Sequence, residues 1–344
     1  MVNLCLPLWL AASCLAQQSE MYVLGVHPHG IILFDGTRDE IVGQIQTRGR
    51  APKEIVPSPD GKLLYTTTEG RSQIEVVNLE TRAVDRVLDL TPSGYRLTIY
   101  GVALNATGDR LYVHVKPVRQ LIDRYVVDPP QIWSVDLPSG KTEKIIEVPQ
   151  GVAALALTRD EHQLIAWGRD IYYVDPESKR ITNTFPLMNP ANPSTGPLNT
   201  LALFIQYERS GIFSIPYYTR DPITSKDLMG LVDLDLNSGK VGLVELGAPV
   251  PLYSAVVSPD RKYAYAVMNQ LLKIDLEQKR VIQTVDLERT RYVANISSDG
   301  KKLFVSGAAP FIHVYDTSGL KLLKTIELPG DPSVTSFRAL PAKR

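Results

Sequence analysis

The stretch "SPDGKLLYTT" at residues 58–67 returns as "SPDRKYAYAV" at residues 258–267 and as "SSDGKKLFV" at residues 297–305. Each begins with Ser, keeps an Asp two positions on, and reverses sharply into an apolar run. Pro-Asp-Gly and Ser-Asp-Gly suit such a reversal. Pro presets φ, the Asp carboxylate bonds backbone two residues on, and Gly accepts a positive φ. A second phrase follows the first. It reads "IILFDGTRDE", "IEVVNLETR", "IWSVDLPSGK", "IYYVDPESKR", "LVDLDLNSGK", "LLKIDLEQKR" and "IHVYDTSGLK". Its anchors are Asp35, Asn78, Asp136, Asp175, Asp235, Asp275 and Asp316, seven copies spaced 39 to 60 residues apart. A third apolar run, such as "VIQTVDL" or "KLLKTIEL", ends each copy.

Each copy therefore offers four short strands rich in Val, Ile, Leu and Tyr. Four-stranded units at this period are propeller blades. A single blade has two faces to bury, so the units must stack into a ring. The expected fold is all-β: a seven-bladed β-propeller of four-stranded antiparallel blades. The first copy has room for only three strands, near residues 22–26, 30–35 and 40–46. Beyond the last copy, "SVTSFRAL" at residues 333–340 is one strand too many. That strand is expected to become the innermost strand of the first blade, closing the ring with a mixed N- and C-terminal blade and removing a free edge.

The chain has 344 residues, with 37 basic and 37 acidic side chains and a net charge of zero. Phosphate-backbone binding needs a cationic surplus, so a nucleic-acid partner is excluded. The opening "MVNLCLPLWLAASCLAQQ" is apolar from Leu4 to Ala12 and too short to span a bilayer. It reads as a signal peptide of residues 1–16, cut after Ala16, ahead of one propeller domain at residues 17–344. The alternatives are a lipid anchor on Cys14 or a folded helix. The location is accordingly periplasmic or secreted. Cys5 and Cys14 both fall in this segment, so the mature chain would have no thiol and no C-x-x-C-H haem attachment.

In a four-stranded blade, connections alternate between the two faces of the disc. The repeated turns occupy one face and stay short. The long segments fall on the other: residues 116–131 in the third blade, 217–229 in the fifth, and the links at 91–98 and 186–197. Long loops on a rigid scaffold carry function. Arg and Tyr are the side chains that most often anchor interfaces. The candidate partner interface is therefore Arg119, Arg124, Tyr125, Tyr217, Tyr218 and Arg220.

No catalytic motif stands out. "HPHG" at residues 27–30 places two His at i and i+2, but no third ligand is near in sequence, and zinc needs three or four. It reads as a polar turn. The seven anchors recur at one structural position and read as turn residues that accept backbone N–H bonds. Trp133 and Trp167 read as core. Asn105 and Asn295 stand in glycosylation sequons.

The turn phrase and the x-V-x-D-L phrase are similar to the YVTN-type propeller repeat of secreted proteins. Four longer stretches go further: "GVALNATGDRLYVHVKPVRQLIDRYVVDPPQIWSVD", "LIAWGRDIYYVDPES", "SGIFSIPYYTR" with "GLVDLDLNSGK", and "YVANISSDGKKLFVSGA". Over residues 22–340 the chain resembles the propeller (beta) subunit of quinohemoprotein amine dehydrogenase. The resemblance implies a periplasmic heterotrimer that oxidises primary amines. In it the propeller holds no cofactor and is not itself catalytic. A small subunit carries a cysteine tryptophylquinone and a dihaem cytochrome c subunit carries c-type haem. The propeller would hold these partners together and help wall the amine pocket. Two readings stand beside it: a stand-alone secreted YVTN-type binding protein, and a propeller enzyme whose site lacks a sequence motif.

Overall fold

The computed structural model describes residues 19–192, 194–201, 205–333 and 335–342. The proposed leader, with both cysteines, lies outside them. Among the described residues the strands form seven antiparallel sheets, six of four strands and one of five. Among the described residues there is no α-helix, only a 3₁₀ turn at Glu69–Arg71.

The first blade is the mixed one. Its order from the axis outward is Phe337–Ala339, Met21–Val26, Gly30–Asp35 and Glu40–Gln46. The C-terminal strand is shorter than the sequence suggests but sits where expected, with Tyr22 opposite Ala339, Val23 opposite Arg338 and Leu24 opposite Phe337. Hydrogen bonds outside the ladder extend the closure. Leu340 N donates to Met21 O at 2.8 Å and His27 N to Asp331 O at 2.7 Å. Asn295 Nδ2 donates to Phe337 O at 2.9 Å, tying in the seventh blade. Asn295 is 1% exposed, so this sequon is a closure contact and not a sugar acceptor.

The core is divided rather than central. Seven apolar clusters of buried residues each lie between two neighbouring blades. The cluster between the seventh and first blades is aromatic: Tyr22, Phe34, Phe304 and Phe337, with ring centroids 4.9 to 6.3 Å apart. Inner strands are buried almost throughout, as in Arg291–Ile296 and Leu252–Val257. Outer strands alternate with solvent, as in Arg280–Asp286. This is what period-two patterning gives when three strands of each blade are covered on both faces and the fourth forms the rim.

The third and fifth blades depart from the common size. Their second strands, Arg110–Gln120 and Ile212–Arg220, run for 11 and 9 residues, against 6 in Tyr263–Met268. The segments expected as loops at 116–131 and 217–229 are largely strand. In the third blade the pairing continues past the disc, with Tyr95 opposite Arg119 on one side and Tyr125 opposite Gln120 on the other. The link expected at 91–98 thus gives its second half to the inner strand Tyr95–Leu104. In the fifth blade, Arg220 pairs with Asp227 across a short turn. Pro117 and Pro216 each remove a ladder donor, yet both lie within these strands. In the structure the Pro117 carbonyl still accepts from Asp128 N at 3.0 Å.

Candidate functional site

The repeat anchors are structural. Each closes the turn between the third and fourth strands of its blade by accepting backbone N–H bonds. Asp35 Oδ1 accepts from Thr37 N at 2.9 Å, Asn78 Oδ1 from Glu80 N at 2.9 Å and Asp136 Oδ1 from Ser139 N at 2.9 Å. Asp175, Asp235, Asp275 and Asp316 do the same. The opening turns have their own lock. The hydroxyls of Ser58, Ser258 and Ser297 donate to the Asp two residues on, at 2.6 to 2.7 Å, and accept the N–H five residues on. These side chains are committed to holding the turns.

Chemistry concentrates instead around the axis, where the inner strands carry charges that apolar patterning does not predict. On the short-turn side a cavity of about 600 Å³ is lined by Arg159, Glu161, Tyr207, Glu208, Arg209, Arg261 and Arg338, among others. Arg338, 5% exposed, bonds Glu208 through Nε. Its Nη1 donates to Ile55 O at 3.1 Å and its guanidinium lies 5.0 Å from the Tyr207 ring centroid. Burial opposes its charge, but Glu208 and Tyr207 more than offset this and hold its pKa up. Arg209 Nη2 donates to Tyr22 Oη at 3.1 Å and lies 3.6 Å from Glu20 Oε2. Tyr22 Oη donates in turn to Ile296 O at 2.9 Å. Burial pushes this phenol well above its ordinary range. Glu208 and Arg209 reach the axis because the fifth blade's inner strand stops at Asn199–Thr200 and residues 205–208 run on without a ladder.

The opposite mouth of the channel has a register of its own. Five residues before the turn anchors Ser58, Asn105, Thr158, Ser258 and Ser297 stand Lys53, Tyr100, Ala153, Tyr253 and Tyr292. All five are half-buried beside buried neighbours. Tyr100, Tyr253 and Tyr292 each occupy a register shift of an inner strand. A bulge re-aims a side chain out of the pleat. Gly101 permits the bulge at Tyr100, since a Cβ there would meet Leu155 N at 2.8 Å. Around Tyr100 stand two cations, Lys116 Nζ at 4.0 Å and the Arg71 guanidinium at 4.8 Å from its centroid. Arg71 Nη1 is 3.6 Å from Glu54 Oε1. Burial raises the Glu54 carboxyl to about 7, although Arg71 and Arg338 pull it down.

The predicted interface residues divide. Tyr125 is exposed at the edge of the third-blade hairpin, with Arg96 5.5 Å from its ring centroid. Arg119 pairs with Asp128 at 2.9 Å and Arg124 with Asp123 at 3.0 Å, both within that hairpin. Arg220 faces Asp227 at 4.0 Å at the tip of the fifth-blade hairpin. Tyr217 is not on the surface. At 3% exposure it packs in the core between the fourth and fifth blades, and burial pushes its hydroxyl up to about 12. Tyr218 is half-buried, and its hydroxyl donates to Val250 O at 3.0 Å. Strand alternation turns these two tyrosines into neighbouring blade interfaces. The hairpins do expose apolar side chains that the sequence reading passed over: Leu121, Ile122 and Val127 on the third blade, and Ile223 on the fifth.

His27 and His29 occupy the turn between two strands of the first blade. Among the described residues, no group of three or more His, Asp or Glu side chains is placed to hold a metal. His114 is fully buried without a hydrogen-bond partner, and burial pushes it down to about 3. Trp167 is core as expected, whereas Trp133 is only partly buried. Among the described residues no helix is long and apolar enough to cross a membrane.

Solved structures with this fold are numerous. Hydrazine synthase of Kuenenia stuttgartiensis matches with a TM-score of 0.59 and 12% identity, over 88% of this chain and 90% of that one. Dihydro-heme d1 dehydrogenase NirN, in complex with DHE, matches with a TM-score of 0.58 and 16% identity, over 94% of this chain and 75% of that one. A protein of unknown function from Desulfotomaculum acetoxidans gives a TM-score of 0.62 and 13% identity, over 93% and 98%. No family model and no curated protein matches the chain. At these identities the likeness speaks for the propeller fold, not for an activity.

Proposed function

We propose that this chain is the cofactor-free propeller subunit of a periplasmic, heterotrimeric quinohemoprotein amine dehydrogenase. In this reading it holds a quinone-bearing small subunit and a dihaem cytochrome c subunit together and helps wall the amine pocket. The partners supply the cysteine tryptophylquinone and the c-type haem. The observation that carries the reading is the pair of hairpins raised from one face. The third-blade hairpin continues five residues past the point where Gln131 pairs with Val115, a rise of about 15 Å. Its edge and tip present Ile122, Tyr125 and Val127 to solvent. A projection that outruns the disc and is tipped with apolar side chains gains little for the fold. It gains stability by being covered. One propeller of like shape belongs to a dihydro-heme d1 dehydrogenase, which supports placing this fold beside haem chemistry.

A second reading, a stand-alone secreted binding propeller, is favoured by the charged axial cavity of about 600 Å³. The test is purification of the tagged chain from its native host. A co-purifying protein with a c-type haem spectrum is expected, and Ile122→Asp, Tyr125→Ala or Ile223→Asp should weaken its binding by about 1 kcal/mol or more, roughly fivefold. Lys62→Glu and Lys301→Glu, on the short-turn face, should change it little. A haem-free eluate, or equal loss from both faces, would leave the stand-alone reading in its place.

A further inference from the structure

We propose that the long-loop mouth of the axial channel is an anion-binding site, with Arg71 and Lys116 gathered around Tyr100 and Lys53, next in the chain to the Glu54 that faces Arg71, completing the cationic set that holds a carboxylate or phosphate group. This goes beyond the docking reading and does not depend on it. Three different segments deliver the cations. Lys53 precedes the inner strand Ile55–Pro57, Arg71 ends the 3₁₀ turn of the same blade, and Lys116 lies on the third-blade strand Arg110–Gln120 as it leaves the disc. Like charges gathered this closely repel. Burial first, and Arg71 second, hold both Lys53 and Lys116 below the ordinary lysine range.

What offsets the charge inside the protein falls short. Among the described residues neither lysine has a carboxylate within ion-pair distance. Glu54 is the one acidic group facing Arg71, 3.6 Å away, beyond hydrogen-bonding range. Arg71 is 8% exposed, yet its Nη1 has no hydrogen-bond partner. Glu75, the other buried carboxylate nearby, accepts from Arg48 N, Gly49 N and Thr68 Oγ1. The Tyr100 ring supplies only the weak attraction of its π face. An unpaired guanidinium donor in a partly desolvated site is costly unless an acceptor completes it. Lys53 and Lys116 are half-exposed, so solvent and its solutes reach them. Oxygen-rich anions match guanidinium and ammonium donors in geometry and charge.

The group could come with a free small anion or on an acidic side chain of a polypeptide, and the test separates these. Inorganic phosphate, succinate and a capped Glu-rich octapeptide are titrated into the full chain by calorimetry at constant ionic strength. Saturable binding of phosphate or succinate, weakened at least tenfold by Lys116→Gln or Lys53→Gln, supports the site with a free anion as ligand. Peptide binding that phosphate displaces and that the same variants weaken supports it with an acidic side chain. Lys62→Gln on the far face is the control for non-specific charge, and unchanged melting of the lysine variants shows that they fold. No saturable binding of any probe, or equal weakening by Lys62→Gln, overturns the proposal.

Discussion

Among the described residues Asp233 has no ion-pair partner, and it lies inside the strand Asp227–Asp235 and not in a turn. It pairs across the ladder with Ser214, and its Oδ1 is buried without a partner. Burial raises its carboxyl to about 6, offset in part by Ser214. The folded state therefore keeps a proton that the unfolded chain releases near pH 4. Stability from this group is full below about pH 4 and is lost as pH rises through about 6. Asp233→Asn, which cannot ionise, should be more stable than the parent by about 1–2 kcal/mol at pH 7.5 and nearly equal to it at pH 4. Urea melts at the two pH values measure this. A variant equally destabilised at both would mean that the carboxylate makes a favourable contact instead. The anchors show the opposite case. Side-chain and backbone hydrogen bonds at Asp175 and Asp316 hold those carboxyls below their usual range.

At the scale of elements, the three-residue strand Phe337–Ala339 has consequences out of proportion to its length. It supplies the inner edge of the first blade, one ring of the aromatic cluster and the acceptor for Asn295. A chain ending at residue 332 would leave Met21–Val26 with an unpaired edge and Tyr22 and Phe34 facing a cavity. The loss should be several kcal/mol, since burying one Phe alone is worth about 3–5 kcal/mol against Ala. Phe337→Ala in the full-length chain should lose about that last amount. Thermal and urea melts that match the full chain for both variants would show that the ring does not depend on this strand. The closure was legible beforehand because a spare strand after seven repeats has one unfilled position to occupy. The hairpins were not. Their extra length lies outside the repeated phrases, and only the completed pairing shows that these segments are largely strand.

At the scale of the whole molecule, the channel is crossed by charge. Arg338 belongs to the first blade and Glu208 to the fifth, 130 residues apart in sequence. Arg209 of the fifth blade reaches Tyr22 and Glu20 of the first. These contacts brace the ring across its diameter, where strand ladders do not reach. Glu208→Gln would leave Arg338 charged and buried, at a cost of about 3 kcal/mol. Glu208→Gln combined with Arg338→Met should recover most of it, because removing both partners leaves no orphaned charge. A single variant as stable as the parent would show that the pair is neutral to the fold.

The repeat by itself determined the blade count, the strand order and the place of the closing strand. Those follow from local turn chemistry and from apolar residues alternating at the strand period, which are properties of short segments. It also determined the role of the seven anchors, since a carboxylate or amide at one recurring turn position has one recurring job. Tertiary structure decided the rest. Tyr217 entered the core and Tyr218 packed half-buried against the next blade because a strand's alternation points side chains into whichever blade lies beside it. Arg71 and Lys116 met around Tyr100, and Glu208 met Arg338, because ring closure sets residues far apart in sequence against one axis. No local pattern encodes that meeting. The trace it left in the sequence is a charge written into an inner strand, as at Arg338, where apolar patterning alone would have put none.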